Sequence, residues 1–259
     1  MTAVLNFMTQ MFAIAEAEVR KLRHDPVDIF TRIVQPALWL LIFGQVFARL
    51  RGIPTGGVSY RDFLAPGILA QSVLFIAIFY GISTIWERDL GILAIYLVSP
   101  APRSALVLGK SLAAGVRGLA QALMVYVLAL LLGIHLVLGI VSLAGVVVMI
   151  VLSAAIFACF SMIIACLVKT RERFMGISQV LTMPLFFASS AIYPVELMPD
   201  WLRHLANLNP LTYQVDALRT LMLPGFRSTT GLLRDFLVQV GVFIVLVLLA
   251  GRFYQTILE

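Results

Sequence analysis

The stretch GLAQALMVYVLALLLGIHLVLGIVSLAGVVVMIVLSAAIFACFSMIIACLV, residues 118–168, runs for 51 residues without an Asp, Glu, Lys or Arg. An α-helix rises about 1.5 Å per residue, so about 20 residues cross the roughly 30 Å hydrocarbon core of a bilayer. A single span cannot use all 51 residues, and the stretch therefore predicts two spans joined by a short hairpin. Gly133, His135 and Gly139 interrupt the Leu- and Val-rich pattern and place the hairpin at residues 133–142.

Four further uncharged runs share this character, although two of them have only 16 residues. Arg32, Arg49 and Arg252 flank the short runs and can extend their aliphatic stems to the lipid headgroups. The sequence thus predicts an all-α integral membrane protein with one transmembrane domain over residues 1–259. The six transmembrane helices are predicted at 27–49, 64–86, 114–136, 143–168, 174–194 and 236–252.

The composition supports lipid as the solvent, because 61% of the 259 residues are hydrophobic and only 12% are charged. Soluble domains carry about 25% charged residues. The net charge is +6, yet the 19 cations are dispersed between apolar runs, and this pattern argues against a nucleic-acid-binding tract.

Twelve cations fall on the side that holds both termini and the loops 87–117 and 169–173, against seven on the other side. Since Lys and Arg favour cytoplasmic loops, both termini are predicted to be cytoplasmic.

The predicted spans hold no acid at depth, where an ion-coupled transporter needs one to carry a proton or a metal ion. All 13 carboxylates lie outside the uncharged runs, and Asp62, Glu87, Glu196 and Asp235, which border runs, are expected near water. The three histidines and two cysteines show no metal-ligand spacing, so no metal site is predicted.

The tripeptide Gly109-Lys110-Ser111 resembles the end of a phosphate-binding P-loop. That motif requires glycine at position 104, where this chain has Ser104, and it requires a preceding strand. We therefore expect neither a catalytic residue nor an ATP site in this chain. Energy for any transport must then come from another polypeptide.

Residues 1–24 form a different kind of element. Their apolar side chains recur at the i, i+3, i+4 spacing of one helical face, whereas Glu16 and Arg20 lie elsewhere on the helix. The pattern predicts an amphipathic helix in the cytoplasmic headgroup layer. This helix serves either as a plain membrane anchor or as a surface that also contacts a cytoplasmic partner, and the pattern favours neither.

Segment 87–110 carries charges before an uncharged piece of 13 residues with two prolines, which is too short to cross a bilayer. It predicts a short cytoplasmic helix between the second and third spans, although periodicity alone favours an ordinary amphipathic loop.

In the fifth span, Gln179, Thr182 and Ser190 are expected on roughly one face, with Pro184 kinking the helix. Such a face can line a path for an amphipathic solute or make ordinary hydrogen bonds between helices.

Several short motifs follow one another along the chain. They are Phe63-Leu64-Ala65-Pro66-Gly67-Ile68, Trp86-Glu87-Arg88-Asp89-Leu90-Gly91, Leu97-Val98-Ser99-Pro100 with Arg103, Leu108-Gly109-Lys110, Asn209-Pro210-Leu211-Thr212-Tyr213 and Asp216-Ala217-Leu218-Arg219. Together with the amphipathic amino-terminal helix, they resemble the membrane subunits of type-2 ABC exporters. The resemblance covers almost the whole chain and is greatest to the drug-resistance and nodulation-factor permeases of the daunorubicin exporter group.

The resemblance assigns roles that periodicity does not. In that family the amino-terminal helix and the short helix after the second span contact a separate nucleotide-binding subunit, which replaces the ordinary-loop interpretation of 87–110. The residues implied to couple to the ATPase are Glu16, Arg20, Glu87, Arg88, Asp89, Gly91, Pro100, Arg103 and Lys110. The second and fifth spans are implied to line the substrate path with Gln71, Ser72, Tyr80, Ser83, Gln179, Thr182, Phe186 and Ser190.

Residues 195–235 resemble the family's outward-side re-entrant hairpin, which caps the exit. Asp216 and Arg219 are spaced i, i+3 and can form an ion pair, for which local structural support is favoured over substrate contact. The residues implied to build this hairpin are Asn209, Pro210, Thr212, Tyr213, Asp216 and Arg219.

The resemblance implies a permease subunit in the bacterial cytoplasmic (inner) membrane that exports an amphipathic substrate, drug-like or lipid-like. Its implied partners are cytoplasmic ATPase subunits, which bind ATP and Mg, and a second copy of this chain or a homologous permease. The bilayer surrounds them, and no nucleic acid is involved. The alternatives are a polysaccharide or glycolipid export permease of the same superfamily, or a membrane assembly subunit without a transport role.

Overall fold

The computed structural model describes residues 8–9, 11–13, 16, 20, 32–47, 55, 57–92, 103–168 and 170–253. Over these residues the regular structure is helical, with no β-strand, which confirms the predicted all-α class. The helices are α1 (Val34–Phe47), α2 (Tyr60–Tyr80), α3 (Ile82–Asp89), α4 (Arg103–Leu131), α5 (Ile140–Leu167), α6 (Arg171–Phe187), α7 (Asp200–Leu208), α8 (Pro210–Met222) and α9 (Leu232–Phe253).

Four helical segments of the described chain are long and apolar enough to cross a bilayer: Tyr60–Asp89, Ser104–Leu131, Ile140–Leu167 and Leu232–Phe253. They overlap the predicted second, third, fourth and sixth spans. The other two predicted spans fall on shorter helices, α1 and the 17-residue α6. The chain is thus an all-α membrane protein with several apolar helices, and the count of six spans remains a prediction.

The hairpin predicted inside the 51-residue run is confirmed. Helix α4 ends at Leu131, Gly133 adopts a φ of +71°, and α5 begins at Ile140 after Gly139. Glycine populates positive φ without the steric cost that a Cβ brings, which allows the chain to leave α4 abruptly. The hairpin is fixed to the rest of the fold by Val137, whose backbone N–H donates to the Met222 carbonyl at 2.8 Å.

The predicted boundaries of segment 87–110 differ from the observed helices. Residues 87–89 complete α3, which continues α2 beyond a turn at Gly81, and residues 103–110 are already the first turns of α4. Lys110 therefore lies on the same helix as the third span. The predicted short helix between them falls largely on residues 93–102, outside the described residues. In the predicted amino-terminal helix, the described positions are helical.

Helix α2 occupies the centre of the bundle. In the α2–α3 segment, 78% of the most apolar stretch is buried, against 39% in α4, 44% in α5 and 11% in α9. Ser59 caps the start of α2 by accepting a hydrogen bond from the Asp62 backbone N–H at 3.1 Å. Helices α4, α5, α6 and α8 pack around it. The second predicted span is therefore the core of this chain, and α9 is the least buried of the four long apolar helices.

Two glycines allow other elements to approach α2 and its continuation closely. A Cβ placed on Gly67 would lie 2.1 Å from the backbone carbonyl oxygen of Ala191, and one on Gly81 would lie 2.0 Å from Oγ of Ser161. Real Cβ atoms do not approach this closely. At Gly67 the obstacle is backbone, so a larger residue there would push the turn after α6 away from α2.

We expect Gly67→Ala to lower the free energy of unfolding by roughly 1–3 kcal/mol, the usual cost of overpacking a core. Thermal melting of the detergent-solubilised protein, followed by circular dichroism, measures this change. Gly241→Ala is the matched control, because Gly241 lies inside α9 and nothing lies within 4 Å of an added Cβ. That substitution is expected to be neutral or slightly stabilising, and an equal loss in both variants would contradict the close-approach explanation.

Candidate functional site

Polar side chains gather at two places along α2 and α3. The first gathering contains Glu87, near the end of α3, and the second lies beside Arg219, whose guanidinium donates to the carbonyl of Phe63 in the first turn of α2. Phe63 and Glu87 are separated by 24 positions, or about 36 Å of helix at 1.5 Å per residue. The two gatherings therefore lie at opposite ends of the α2–α3 segment. We call them the Lys110 cluster (Thr84, Glu87 and Lys110) and the Asp216 network (Asp216, Ser228, Thr229, Thr230 and Asp235).

In the Lys110 cluster a buried ammonium group joins α3 to α4. Lys110 is completely buried, its Nζ forms an ion pair with Glu87, and the same Nζ lies 3.3 Å from Oγ1 of Thr84. Thr84 and Glu87 are three residues apart and therefore share one face of α3. A charge in such surroundings persists only if an opposite charge and hydrogen bonds replace the water that it has lost. The pair consequently fixes the position of α3 against α4.

A second set of contacts at this end joins α3 to α5 and α6. Arg88 donates from Nη1 to the carbonyl of Val168 at 3.0 Å. Arg171, in the first turn of α6, forms an ion pair with Asp89 at 3.0 Å, and its guanidinium lies 4.7 Å from the ring centroid of Trp86. These contacts are partly exposed, unlike the Lys110 cluster.

The residues predicted to couple to an ATPase divide between the interior and the surface. Glu87 is only 4% exposed, so the expectation that it lies near water was wrong; Lys110, from the next span, supplies the compensating charge. Gly91 adopts a φ of +72° where the chain leaves α3. Glu16 and Arg20 are exposed and form an ion pair at 2.7 Å. Pro100 and the side chain of Arg103 lie outside the described part of the chain.

At the opposite end, Arg219 on α8 is buried, and backbone carbonyls accept hydrogen bonds from its charged guanidinium. Its guanidinium donates to the carbonyls of Ser190 at 2.6 Å, Ala191 at 3.2 Å and Phe63 at 3.3 Å, and it lies 3.5 Å above the Phe63 ring. Burial lowers the pKa of Arg219 to about 9, while nearby Asp216 acts in the opposite direction, so the group is charged at neutral pH. Arg219 thereby holds together α8, the start of α2 and the turn after α6.

Asp216 does not pair directly with Arg219, which corrects the i, i+3 expectation. Its carboxylate instead accepts hydrogen bonds from the loop before α9: from the backbone N–H of Thr229 at 2.9 Å, from Oγ of Ser228 at 2.7 Å, and from both N and Oγ1 of Thr230. Because this loop supplies a full set of donors, the carboxylate has less need of the guanidinium. Oγ of Ser228 and Oγ1 of Thr230 also lie within hydrogen-bond distance of the Asp235 carboxylate, so the two acids share the protons of these two hydroxyls.

The remaining hairpin residues build the α7–α8 corner. Asn209 caps α8 by accepting from the Leu211 backbone N–H at 3.0 Å, and its Nδ2 donates to the carbonyl of Leu185 at 2.6 Å. Pro210 occupies the first turn, where its missing N–H costs nothing. The hydroxyl of Tyr213 donates to the Asn207 carbonyl at 2.7 Å, whereas the buried hydroxyl of Thr212 has no partner within the described residues.

Seven of the eight residues predicted to line a substrate path are buried or half-buried within this single chain. Thr182 and Phe186 lie on the buried face of α6, whereas Gln179 is exposed on another face, and Ser190 follows the end of that helix. The expected shared face of Gln179, Thr182 and Ser190 is therefore wrong. On α2 and α3, Gln71, Ser72 and Tyr80 are buried, Ser83 is half-buried, and the Tyr80 ring stacks under Arg117 at 4.5 Å.

The expectation that carboxylates at the edges of the uncharged runs lie near water is also wrong for Asp62 and Asp235, because both are buried. Glu196, by contrast, is exposed. Asp62 accepts from the His135 backbone N–H at 3.3 Å, and Asp235 is enclosed by the hydroxyls of the Asp216 network. Sequence reasoning also missed Gln239, which donates to the Pro210 carbonyl at 2.7 Å. The hydroxyl-rich sequence 228–230, placed between two acids, was the available signal for the network.

Comparison with known proteins adds independent information. The family model described as ABC-2 type transporter matches residues 9–223. A putative transport permease, ycf38, of Cyanophora paradoxa is 29% identical over 217 residues, which cover 83% of this chain and 74% of the relative. The daunorubicin resistance ABC transporter permease protein DrrB1 of Streptomyces coeruleorubidus is 25% identical, over 77% of this chain and 70% of its own. Nodulation protein J of Rhizobium leguminosarum bv. trifolii is 28% identical, over 76% and 74%.

The buried ion pair of the Lys110 cluster generates a stability prediction. Lys110→Met or Glu87→Gln alone is expected to cost about 3–5 kcal/mol, because each change removes the opposite charge beside a buried ionised group. The double variant is expected to be less destabilised than the sum of the two, since neither charge is then stranded. Thermal melting of all four proteins provides the double-mutant cycle.

The exposed ion pair between Asp89 and Arg171 supplies the control for this cycle, with side chains 36% and 42% exposed. Asp89→Asn is expected to cost no more than about 1 kcal/mol. Strictly additive losses at positions 87 and 110 would show that the two side chains do not depend on each other.

Proposed function

Because this chain belongs to the ABC-2 type transporter family, we propose that it is the membrane permease subunit of an ATP-driven exporter whose ATPase is a separate polypeptide. Its membrane character rests on four helices long and apolar enough to cross a bilayer. The family comprises transport permeases, and the comparisons include a relative named for drug resistance and one named for nodulation. The proposed cargo is an amphipathic, drug-like or lipid-like molecule that leaves through the cytoplasmic membrane.

One structural observation carries the proposed division of labour: the end of α3 is joined to three other helices. Lys110 joins it to α4, Arg88 to the end of α5, and Arg171 to α6. A force applied to this end would therefore act on most of the bundle at once. Such an arrangement suits a subunit that receives mechanical work from an ATPase partner.

Within this proposal, the predicted coupling residues divide into two roles. The exposed side chains of Trp86, Asp89 and Leu90 form the surface that an ATPase subunit would contact. Glu87 and Lys110, being buried, transmit the displacement from α3 to the third span without touching the partner. Glu16 and Arg20 on the amino-terminal helix offer a second exposed contact.

The transport step follows from this arrangement. ATP and Mg are bound by the partner, and closure of its two ATPase subunits brings the α3 ends of two permease copies together. The helices α1 and α6 bear exposed apolar side chains, among them Leu41, Ile42, Val180 and Phe187, where a second copy or a homologous permease would pack. The bundle then opens to the outside, and the cargo is released.

If the end of α3 contacts an ATPase subunit, charge reversal at the exposed Asp89 should weaken association more than charge reversal at the exposed Asp200, which lies far from that end. With the full chain co-expressed with a candidate ABC ATPase subunit, Asp89→Lys is expected to weaken association by about tenfold or more, because it reverses a charge at the docking surface. Asp200→Lys is the matched control, since Asp200 is also exposed and also pairs with an arginine, Arg203 at 3.5 Å. Co-purification and transport-dependent ATP hydrolysis are the measurements. Equal effects of the two variants, or ATP turnover by the isolated chain, would contradict the proposal.

Orientation provides a further test in intact cells. We propose that both termini and the Lys110 end face the cytoplasm, in agreement with the distribution of Lys and Arg. With Cys159 and Cys166 replaced by alanine, a membrane-impermeant maleimide is expected to label Asp200→Cys but not Glu172→Cys until the cells are opened. Both native side chains are exposed, so accessibility to the reagent reports the side of the membrane. The reverse pattern would invert the proposed direction of transport.

A further inference from the structure

A cavity of about 630 Å³ lies at the Asp216 end, between α8, the turn after α6 and the loop before α9. Its volume falls within the roughly 300–1,000 Å³ of sites that bind small molecules. Phe63, Pro194 and Phe226 give it apolar walls. Four charged side chains also line it, namely Asp216, Glu196, Arg219 and Arg227. The contacts described above involve Asp216 and part of Arg219, and they leave the other charged groups of the wall without a role.

The buried guanidinium of Arg219 has one unpaired nitrogen on the cavity side. Its Nε and Nη2 donate to the carbonyls of Phe63, Ser190 and Ala191, whereas Nη1 has no hydrogen-bond partner among the described residues. Arg219 is only 3% exposed, and Nη1 is not fully enclosed, so this nitrogen faces the cavity that the residue lines. A charged donor held in a mostly buried wall attracts an anionic oxygen more strongly than the same donor in water.

Glu196 and Arg227 add one exposed charge of each sign. Glu196 belongs to the short turn Val195–Leu197 between α6 and α7, and Arg227 belongs to the loop before α9. Both residues line the cavity, yet neither side chain forms a hydrogen bond or an ion pair within the part of the chain that the structure describes. Asp216 differs, because its carboxylate already accepts hydrogen bonds from residues 228–230. The unpaired groups of the wall are therefore two guanidinium groups and one carboxylate.

This arrangement of charge favours a zwitterionic ligand. The unpaired donors of Arg219 and Arg227 favour an anionic oxygen, and the carboxylate of Glu196 favours a cation. The two acids and two arginines of the wall sum to zero, so a ligand with a group of only one sign would leave part of the wall without its counter-charge. A phosphodiester joined by a short link to a primary ammonium carries both groups. Each of them can form charge-assisted hydrogen bonds with this wall.

The neighbouring helix α7 indicates that a lipid can carry this headgroup. Asn207 of α7 lines the cavity. Trp201, Leu205 and Leu208 of the same helix are 66%, 50% and 82% exposed, and their i, i+4, i+7 spacing places them on one face. An exposed helical face of tryptophan and leucine is typical of a helix that lies at the membrane–water interface. This face offers acyl chains an apolar surface beside the cavity.

We propose that this cavity binds the zwitterionic headgroup of a phosphatidylethanolamine-type lipid, with Arg219 and Arg227 at the phosphodiester and Glu196 at the ammonium group. The same headgroup chemistry has two sources: a phospholipid of the bilayer or water-soluble glycerophosphoethanolamine. The inference goes beyond the proposed function, because headgroup binding requires neither ATP nor a partner subunit.

The test titrates the full chain, purified in a maltoside detergent, with dioleoyl phosphatidylethanolamine and follows the bound lipid by native mass spectrometry. One lipid per chain is expected to bind more tightly than any further lipid. Arg227→Gln and Glu196→Gln should each weaken this first binding step by about three- to tenfold, because each removes a charge-assisted hydrogen bond. Both native side chains are exposed, so the melting temperature should not change.

Arg234→Gln and Asp200→Asn are the matched controls, because both native side chains are exposed and neither lines the cavity. They should leave the first binding step unchanged. Phosphatidylglycerol, which has the phosphodiester without the ammonium group, separates the two roles: Arg227→Gln should weaken the binding of both lipids, whereas Glu196→Gln should weaken only that of phosphatidylethanolamine. Equal effects of the cavity and control variants, or an equal loss of both lipids in Glu196→Gln, would overturn the proposal.

Competition distinguishes the two sources. Displacement of the lipid by a similar concentration of glycerophosphoethanolamine indicates that the cavity recognises the headgroup alone, and displacement only by an acylated lipid indicates that acyl chains also contact the protein. Both outcomes support the zwitterion site. Failure of lipid binding would leave the proposed ATPase coupling untouched, and a failure of coupling would leave the binding result intact.

Discussion

The fold depends on one constraint: every charge enclosed by the bundle must be neutralised or hydrogen-bonded within it. Lys110 meets this requirement with Glu87, Arg219 meets it with three backbone carbonyls, and Asp216 meets it with the donors of the loop before α9. Each of these three sets of polar contacts joins helices or loops from different parts of the sequence. Hydrophobic burial alone would allow the apolar helices to slide or rotate against one another, whereas these polar contacts have only one geometry in which they are satisfied.

The segment formed by α2 and α3 runs from one end of the structure to the other and contacts the polar groups at both ends. Its first turn contacts Arg219 through the Phe63 carbonyl, and its last turn carries Glu87 and Asp89. Because α3 follows α2 with only the turn at Gly81 between them, the two ends belong to one helical segment of 30 residues and are mechanically linked. The same segment is the most buried part of the chain, which explains why Gly67 and Gly81 are needed where other backbone and side chains approach it.

The sequence predicted the architecture well, because apolar runs and helix length follow directly from bilayer thickness. The all-α class and the hairpin near Gly133 could be located in this way. The contacts of the polar groups could not be predicted, because the charge pattern along one helix does not show which groups of other helices lie beside it. The sequence places Glu87 near water, whereas the structure buries it beside Lys110, and the Asp216 carboxylate accepts hydrogen bonds from residues 228–230 and not from the arginine three positions away. Pairing of this kind is decided by tertiary contacts, which a single helix period does not contain.

The order of these partners along the chain has a consequence for biosynthesis. A carboxyl group can enter the membrane as a neutral acid, but an arginine keeps its positive charge. Glu87 is made before Lys110, and the carbonyls of Phe63, Ser190 and Ala191 are all made before Arg219. Among the described residues, each buried cation is therefore synthesised after the groups that neutralise it. A permuted chain that began between residues 87 and 110 would reverse this order at Lys110 and would have to insert an ammonium group that has no counterpart yet.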